Sequence, residues 1–148
     1  MSQTTLSPVS RRLSGKPAEY ALTGLRVVSG FLFACHGAQG FGGVDGVDGQ
    51  GTGVPFGSWP GWWASVLELV AGVLVCLGLA TRPAALLCSG AMAYAYFTVH
   101  QPTGLLPLQN LGEPAALYAW IFLLLAFAGP GRAALGSLLS SGTSRWSR

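Results

Sequence analysis

Four long apolar stretches run through the chain, separated by segments rich in glycine, proline and polar residues. A helix that crosses a bilayer needs about 20 mostly apolar residues, so these stretches predict four membrane-spanning helices. Clusters of glycine and proline predict the loops between them. The predicted helices cover about residues 18–41, 59–80, 84–101 and 112–128.

This pattern predicts an all-α fold, an integral membrane four-helix bundle, because short connections favour packing between neighbouring helices. A polar, Ser- and Thr-rich arm over residues 1–17 precedes the bundle, and a polar tail over 140–148 follows it. The arm has no apolar core, and the first helix is too long for a signal peptide. We therefore expect an uncleaved, disordered cytosolic arm and one transmembrane domain over 18–139.

Composition supports a membrane protein over a soluble one. Hydrophobic residues make up 51% of the chain and charged residues only 9%, whereas soluble domains have about 25% charged residues. The sequence pI is near 9.0, but the cations flank the predicted helices and form no basic stripe, so nucleic acid is not an expected partner. The three cysteines form no CxxC or zinc pattern, and no disulfide framework is expected.

The basic residues predict the orientation in the membrane. Those outside the predicted helices fall on one side: Arg11, Arg12, Lys16, Arg82, Arg132, Arg145 and Arg148. The opposite side carries Asp45 and Asp48. The positive-inside rule then places both termini in the cytosol, and the tryptophans that begin the second helix at the outer interface.

Glu68 is the charge nearest the middle of an apolar stretch. A carboxylate facing lipid at that depth costs at least about 2.5 kcal/mol. Glu68 shares a helix face with small residues, which predicts that it faces the bundle. Arg26 lies about 10 Å and Glu68 about 18 Å from the cytosolic edge, by helical rise. We predict an Arg26–Glu68 ion pair, which either fixes helix register or serves a proton- or quinone-linked site; alternatively, Arg26 reaches the cytosol and Glu68 is protonated.

A second polar group is predicted nearer the outer face, formed by His36, Gln39, His100, Asn110 and Glu113. Histidine titrates near neutral pH and can donate to a quinone carbonyl, and Glu113 can orient a histidine or accept its proton. Alternatively, Asn110 and Glu113 cap the fourth helix while the histidines satisfy loop carbonyls. Two histidines and one glutamate on three helices are a weak metal pattern, and no metal is expected.

Several short motifs occur along the chain, each once and in a specific order. They are Leu25-Arg26 with His36-Gly37-Ala38-Gln39; Glu68 with Gly72 and Leu77-Gly78-Leu79-Ala80-Thr81-Arg82-Pro83; His100-Gln101-Pro102; Asn110-Leu111-Gly112-Glu113; and Gly129-Pro130-Gly131-Arg132. Together they resemble the DoxX family over residues 22–139. The chain departs from the family pattern at Gly40, where a basic residue is usual, and near Gly136, where an aspartate is common.

The resemblance implies a four-helix, multi-pass protein of the bacterial plasma membrane. The family is named after a subunit of an archaeal quinol oxidase or thiosulfate:quinone oxidoreductase, and some relatives are associated with thiol and oxidative-stress handling. It implies a membrane subunit or partner of a quinone- or thiol-linked redox system, with quinone as the candidate cofactor and redox proteins or a second copy as partners. A non-catalytic anchor or scaffold and an oligomeric small-solute carrier are the alternatives. The sequence has no self-sufficient catalytic motif, so a cofactor would have to supply any electron transfer.

Overall fold

A computed structural model of the protein describes residues 15–137. Across this range the secondary structure is helical, without strands, and the predicted all-α class is confirmed. The α-helices are α1 (Lys16–Gly40), α2 (Gly61–Leu77), α3 (Thr81–Ala95) and α4 (Glu113–Ala128). The predicted arm, except for residues 15–17, and the predicted tail lie outside the described residues.

The link between α2 and α3 differs from the prediction. Gly78 ends α2 in the left-handed conformation, with φ 74°, which glycine adopts without steric cost. Thr81 then begins α3, so Thr81-Arg82-Pro83 forms the first helical turn. Proline is accepted there because the first N–H groups of a helix have no intrahelical partner.

The end of α3 also departs from a regular helix. A π-helical turn, Tyr96–His100, continues α3, and a 3₁₀ turn, Gln101–Thr103, follows it. The sequence predicted one continuous helix to about residue 101. Pro102 lacks a backbone N–H and cannot extend a regular ladder, which accounts for the end of the helix; π-turns are frequent at functional sites.

The helices pack most extensively as α1 on α2 and α3 on α4, with further contacts between α2 and α3 and between α1 and α4. Glycine brings α1 and α2 close together. A Cβ added at Gly30 would lie 2.5 Å from the backbone nitrogen of Cys76, and one at Gly72 would lie 2.6 Å from that of Ala34. These contacts agree with the predicted role of small residues at the helix interface.

The buried core is mainly apolar and includes Phe33, Phe122 and Leu125, but several polar residues are buried with it and many large apolar side chains are exposed. The buried polar or charged residues are Arg26, Ser29, Ser65, Thr81, Ser89 and Asn110. The exposed apolar residues include Phe31, Val70, Leu87, Leu117, Trp120 and Phe127. Large exposed apolar patches on proteins mark contact with another protein, a ligand or a membrane.

One helix in the described range, α1, is long and apolar enough by itself to cross a membrane. Helices α2 and α4 are apolar but shorter, with 17 and 16 residues. The three cysteines, Cys35, Cys76 and Cys88, are all free.

The loop between α1 and α2 is ordered by Asp48. Its Oδ1 accepts hydrogen bonds from the backbone N–H groups of Gln50, at 2.9 Å, and Thr52, at 3.1 Å. Hydrogen bonding to the Thr52 side chain, and then to these backbone groups, holds the pKa of Asp48 below its usual range. A charged aspartate therefore stays in this loop at neutral pH.

Candidate functional site

A cavity of about 360 Å³ lies among the helices. We call it the histidine cavity. The lining side chains that matter for its chemistry are Phe33, His36, Glu68, Met92, His100 and Tyr118. They come from all four α-helices and from the π-turn, so the cavity is a product of the whole fold.

Three of the predicted site residues meet in this cavity: His36, Glu68 and His100. The backbone carbonyl of Asn110 is hydrogen-bonded to the His100 ring. Arg26 and Gln39 do not line the cavity, and Glu113 is exposed beside a separate groove between α1 and α4.

His100 is held by the loop that precedes α4. Its Nδ1 lies 3.0 Å from the backbone carbonyl oxygen of Asn110. The Asn110 side chain donates to the Gly104 carbonyl and accepts from the Gly112 N–H, both at 2.8 Å. His100 thus satisfies a loop carbonyl, as the alternative interpretation expected, but α4 has no side-chain N-cap from Asn110 or Glu113.

Glu68 stands in a wall between two spaces. One is the histidine cavity; the other is an apolar groove of about 360 Å³ between α2 and α3. We call it the tryptophan groove, after Trp59 and Trp63 in its lining, together with Leu67 and Tyr94. Glu68 makes no hydrogen bond or ion pair to any residue in the described range, so its carboxyl group is available to a ligand.

The predicted Arg26–Glu68 ion pair is wrong. Arg26 Nη1 donates to the carbonyl oxygens of Val75, at 2.9 Å, and Cys76, at 2.8 Å, and Nη2 donates to that of Ala133, at 2.5 Å. The last carbonyls of a helix lack intrahelical partners and carry the negative end of its dipole. Because α2 ends at Leu77, these carbonyls lie closer to Arg26 than Glu68 does, which is about 10 Å further along the helix.

The ion pair found within the described residues is at the surface instead. Arg132 Nε lies 3.6 Å from Glu19 Oε2, with both side chains nearly half exposed. The Arg132 backbone N–H also donates to Thr23 Oγ1 at 3.1 Å. Through these two contacts, the segment after α4 packs against the first turns of α1.

Tyr118 is the site residue that the sequence interpretation missed. Its ring meets that of His36 edge to face, with centroids 6.2 Å apart, and stacks on Phe122 at 5.8 Å. The signal was helical phase: Pro114, Ala115 and Tyr118 recur at helical spacing on α4 and all line the cavity. Among residues 15–137, no cluster of three or more His, Cys, Asp or Glu could hold a metal ion.

The architecture is that of a helical protein with a cavity lined by His36, Glu68, His100 and Tyr118 together with apolar side chains. A model of the DoxX family matches residues 21–101. The chain is also 39% identical over 121 residues to a Haemophilus influenzae protein described only as uncharacterized, covering 78% of this chain and 88% of that protein. No solved structure matches.

The chain belongs to the DoxX family, whose members are typically membrane-associated. The matched residues include Arg26, His36, Glu68 and His100, whereas Asn110 and Tyr118 lie beyond them.

Proposed function

We propose that the chain is a multi-pass protein of the bacterial plasma membrane, with four spanning helices and both termini in the cytosol. The support is the distribution of side chains: Arg26, Ser65 and Asn110 are buried, while many large apolar side chains, Trp120 and Phe127 among them, are exposed. Lipid is the solvent that suits such a surface. The 17 residues of α2 rise about 26 Å, close to the roughly 30 Å of a bilayer's hydrocarbon core.

Single-cysteine labelling tests this topology. In a variant without native cysteines, Asp48→Cys is expected to react in intact cells with a maleimide that cannot cross membranes, because Asp48 lies in the loop proposed to be outside. The matched variant Lys16→Cys is expected to react only after permeabilisation. Labelling of Lys16→Cys in intact cells, or protection of Asp48→Cys, would contradict the proposed orientation.

We further propose that the histidine cavity and the tryptophan groove together bind a lipid-soluble quinone. The observation that carries this proposal is their shared wall, formed by Glu68 with Met92, Ala95 and Val99. The histidine cavity, with four polar side chains in an otherwise apolar lining, suits the ring and its oxygens. The apolar groove suits the tail, where each buried CH₂ contributes about 0.8 kcal/mol. Tyr118 and His36 supply polar groups to a ring oxygen, and Phe33 supplies an aromatic face.

In this proposal the chain is the quinone-binding membrane component of a redox or oxidative-stress system, acting with redox proteins or with a second copy. A passive scaffold would be expected to have a closed interior with its charges paired. Instead the cavity reaches His36 and Glu68, and Glu68 has no partner within residues 15–137. These features favour ligand binding over a purely structural role.

Titration of the purified protein with a short-tailed quinone tests binding. Trp59 and Trp63 line the groove, so saturable quenching of tryptophan fluorescence is expected. Ala64→Phe fills the groove and is expected to weaken binding at least about tenfold, which is about 1.4 kcal/mol. Val73→Phe adds the same ring on an exposed position of α2 and is the matched control.

Quenching without saturation, or equal quenching in the Ala64→Phe and wild-type proteins, would show partition into detergent and would overturn the proposed site. Analysis of quinone that purifies with the protein supplies an independent measurement, because a bound quinone should be depleted in Ala64→Phe and retained in Val73→Phe.

A further inference from the structure

The position of one proton in the histidine cavity is set by the fold. A backbone carbonyl oxygen accepts hydrogen bonds and cannot donate them. Because Nδ1 of His100 lies 3.0 Å from the carbonyl oxygen of Asn110, Nδ1 must carry the hydrogen. A neutral imidazole has one N–H group, so Nε2 of His100 presents a lone pair. Within residues 15–137, Nε2 has no hydrogen-bond partner.

This tautomer is locked by the surrounding loop. Asn110 is only 4% exposed, and its side chain ties Gly104 to Gly112. A Cβ added at Gly112 would lie 2.8 Å from His100 Cβ and 2.9 Å from Tyr96 Cδ2, so the loop packs directly on the π-turn. The carbonyl cannot turn away without breaking these contacts, and His100 stays an acceptor.

The other polar groups of the cavity are not fixed as hydrogen-bond donors or acceptors by a neighbouring backbone group. His36 makes a ring contact with Tyr118 but no hydrogen bond to a described residue, so either of its nitrogens can carry the proton. The Tyr118 hydroxyl both donates and accepts, and the Glu68 carboxyl group accepts when it is ionised and can also donate when it is protonated. Discrimination between ligands by hydrogen-bond polarity therefore falls on His100.

We propose that the cavity prefers a ring ligand that carries a hydroxyl group, such as a hydroquinone or a phenol, over the corresponding quinone or ether. The hydroxyl donates to Nε2 of His100, whereas a carbonyl or ether oxygen would place a lone pair against a lone pair. This inference rests on the proposed function, since it names the form of the ligand that the same site takes. A site built to bond a hydroxyl discriminates strongly against analogues without one.

The test compares a ligand that carries this hydroxyl hydrogen with one in which a methyl group replaces it. A 4-heptylphenol and its methyl ether are titrated into the purified protein at pH 8. The phenol is expected to bind roughly tenfold more tightly, the effect of one hydrogen bond. A short-tailed quinol, kept reduced under argon, is expected to show the same preference over its quinone.

Two variants test whether the preference for the phenol depends on His100. His100→Phe removes the acceptor and is expected to bring the affinity ratio close to one, while Gln101→Leu, an exposed neighbour outside the cavity lining, is expected to keep it. Nitrogen-15 NMR of histidine-labelled protein measures the tautomer without any ligand and does not depend on the folding of a variant. The expected spectrum shows His100 protonated at Nδ1.

The outcomes separate the two proposals. Equal affinity for phenol and ether, tighter binding of the ether, or protonation at Nε2 would overturn the hydroxyl preference and leave quinone binding standing. Failure of every ring ligand to bind would overturn the proposed function and this inference with it.

Discussion

Replacement of Arg26 with methionine is expected to destabilise the protein by about 2–5 kcal/mol, because buried carbonyl oxygens lose the group that donates to them. Arg26 is 1% exposed and donates to three carbonyl oxygens from two separate parts of the chain. Methionine fills much of the same space but donates nothing. The carbonyls of Cys76 and Ala133 would then lose the Arg26 donor, whereas that of Val75 keeps the Gly78 N–H at 3.0 Å. Each buried group left unsatisfied costs about 1–3 kcal/mol.

Two matched substitutions distinguish this role from the effect of charge alone. Arg132→Gln removes a cation from a half-exposed ion pair, and the expected loss is about 0–1 kcal/mol. Arg26→Lys keeps the charge but not the fork of two nitrogens that reaches both segments, so an intermediate loss is expected. Thermal unfolding in detergent measures all three; equal stability of Arg26→Met and Arg132→Gln would show that the carbonyl contacts are dispensable.

Gly37→Ala is expected to cost about 3 kcal/mol, at the upper end for overpacking, because the added methyl group has no space. A Cβ there would overlap the backbone of Leu69 and lie 2.7 Å from the carbonyl oxygen of Ser65. Backbone atoms cannot rotate aside as a side chain does, so α1 and α2 would have to separate. Glu68 lies between these two contacts in sequence, so the wall of the histidine cavity would move as well.

Gly24 supplies the control for Gly37 on the same helix. A Cβ added at Gly24 meets nothing within 4 Å, so Gly24→Ala is expected to be neutral or to stabilise by up to about 1 kcal/mol through helix propensity. The difference in midpoint temperature between the two alanine variants measures the close approach of α1 and α2. A Gly37→Ala protein as stable as Gly24→Ala would contradict it.

Much of the fold followed from the sequence because its determinants are local. Long apolar stretches interrupted by glycine and proline predict helices whatever their partners. The small-residue stripe beside Glu68 predicted that its side chain faces inward, and Glu68 does line the histidine cavity. His36 and His100, predicted to lie near one another from their depth, line the same cavity.

The contacts of Arg26 and the tautomer of His100 could not be predicted, because they depend on backbone carbonyl groups that are distant in sequence or lie in a loop. The Arg26–Glu68 pair was inferred from the inward face of Glu68 and from depth, but α2 ends at the left-handed Gly78, and its last carbonyl oxygens lie at the level of Arg26. The spacing of residues does not predict the contact with the Ala133 carbonyl, because Ala133 lies 107 residues away in the sequence. The tautomer of His100 likewise depends on a loop carbonyl, which the side-chain pattern does not encode.

The bond between Arg26 and Ala133 has a consequence for the order in which the chain assembles. The two residues are 107 positions apart, and synthesis delivers the N-terminal part first. When α1 and α2 leave the ribosome, the Ala133 carbonyl has not yet been made, so the guanidinium of Arg26 lacks one of its acceptors. The contacts of Arg26 are therefore complete only when the segment after α4 arrives, and a chain truncated before Ala133 would leave this buried guanidinium one acceptor short.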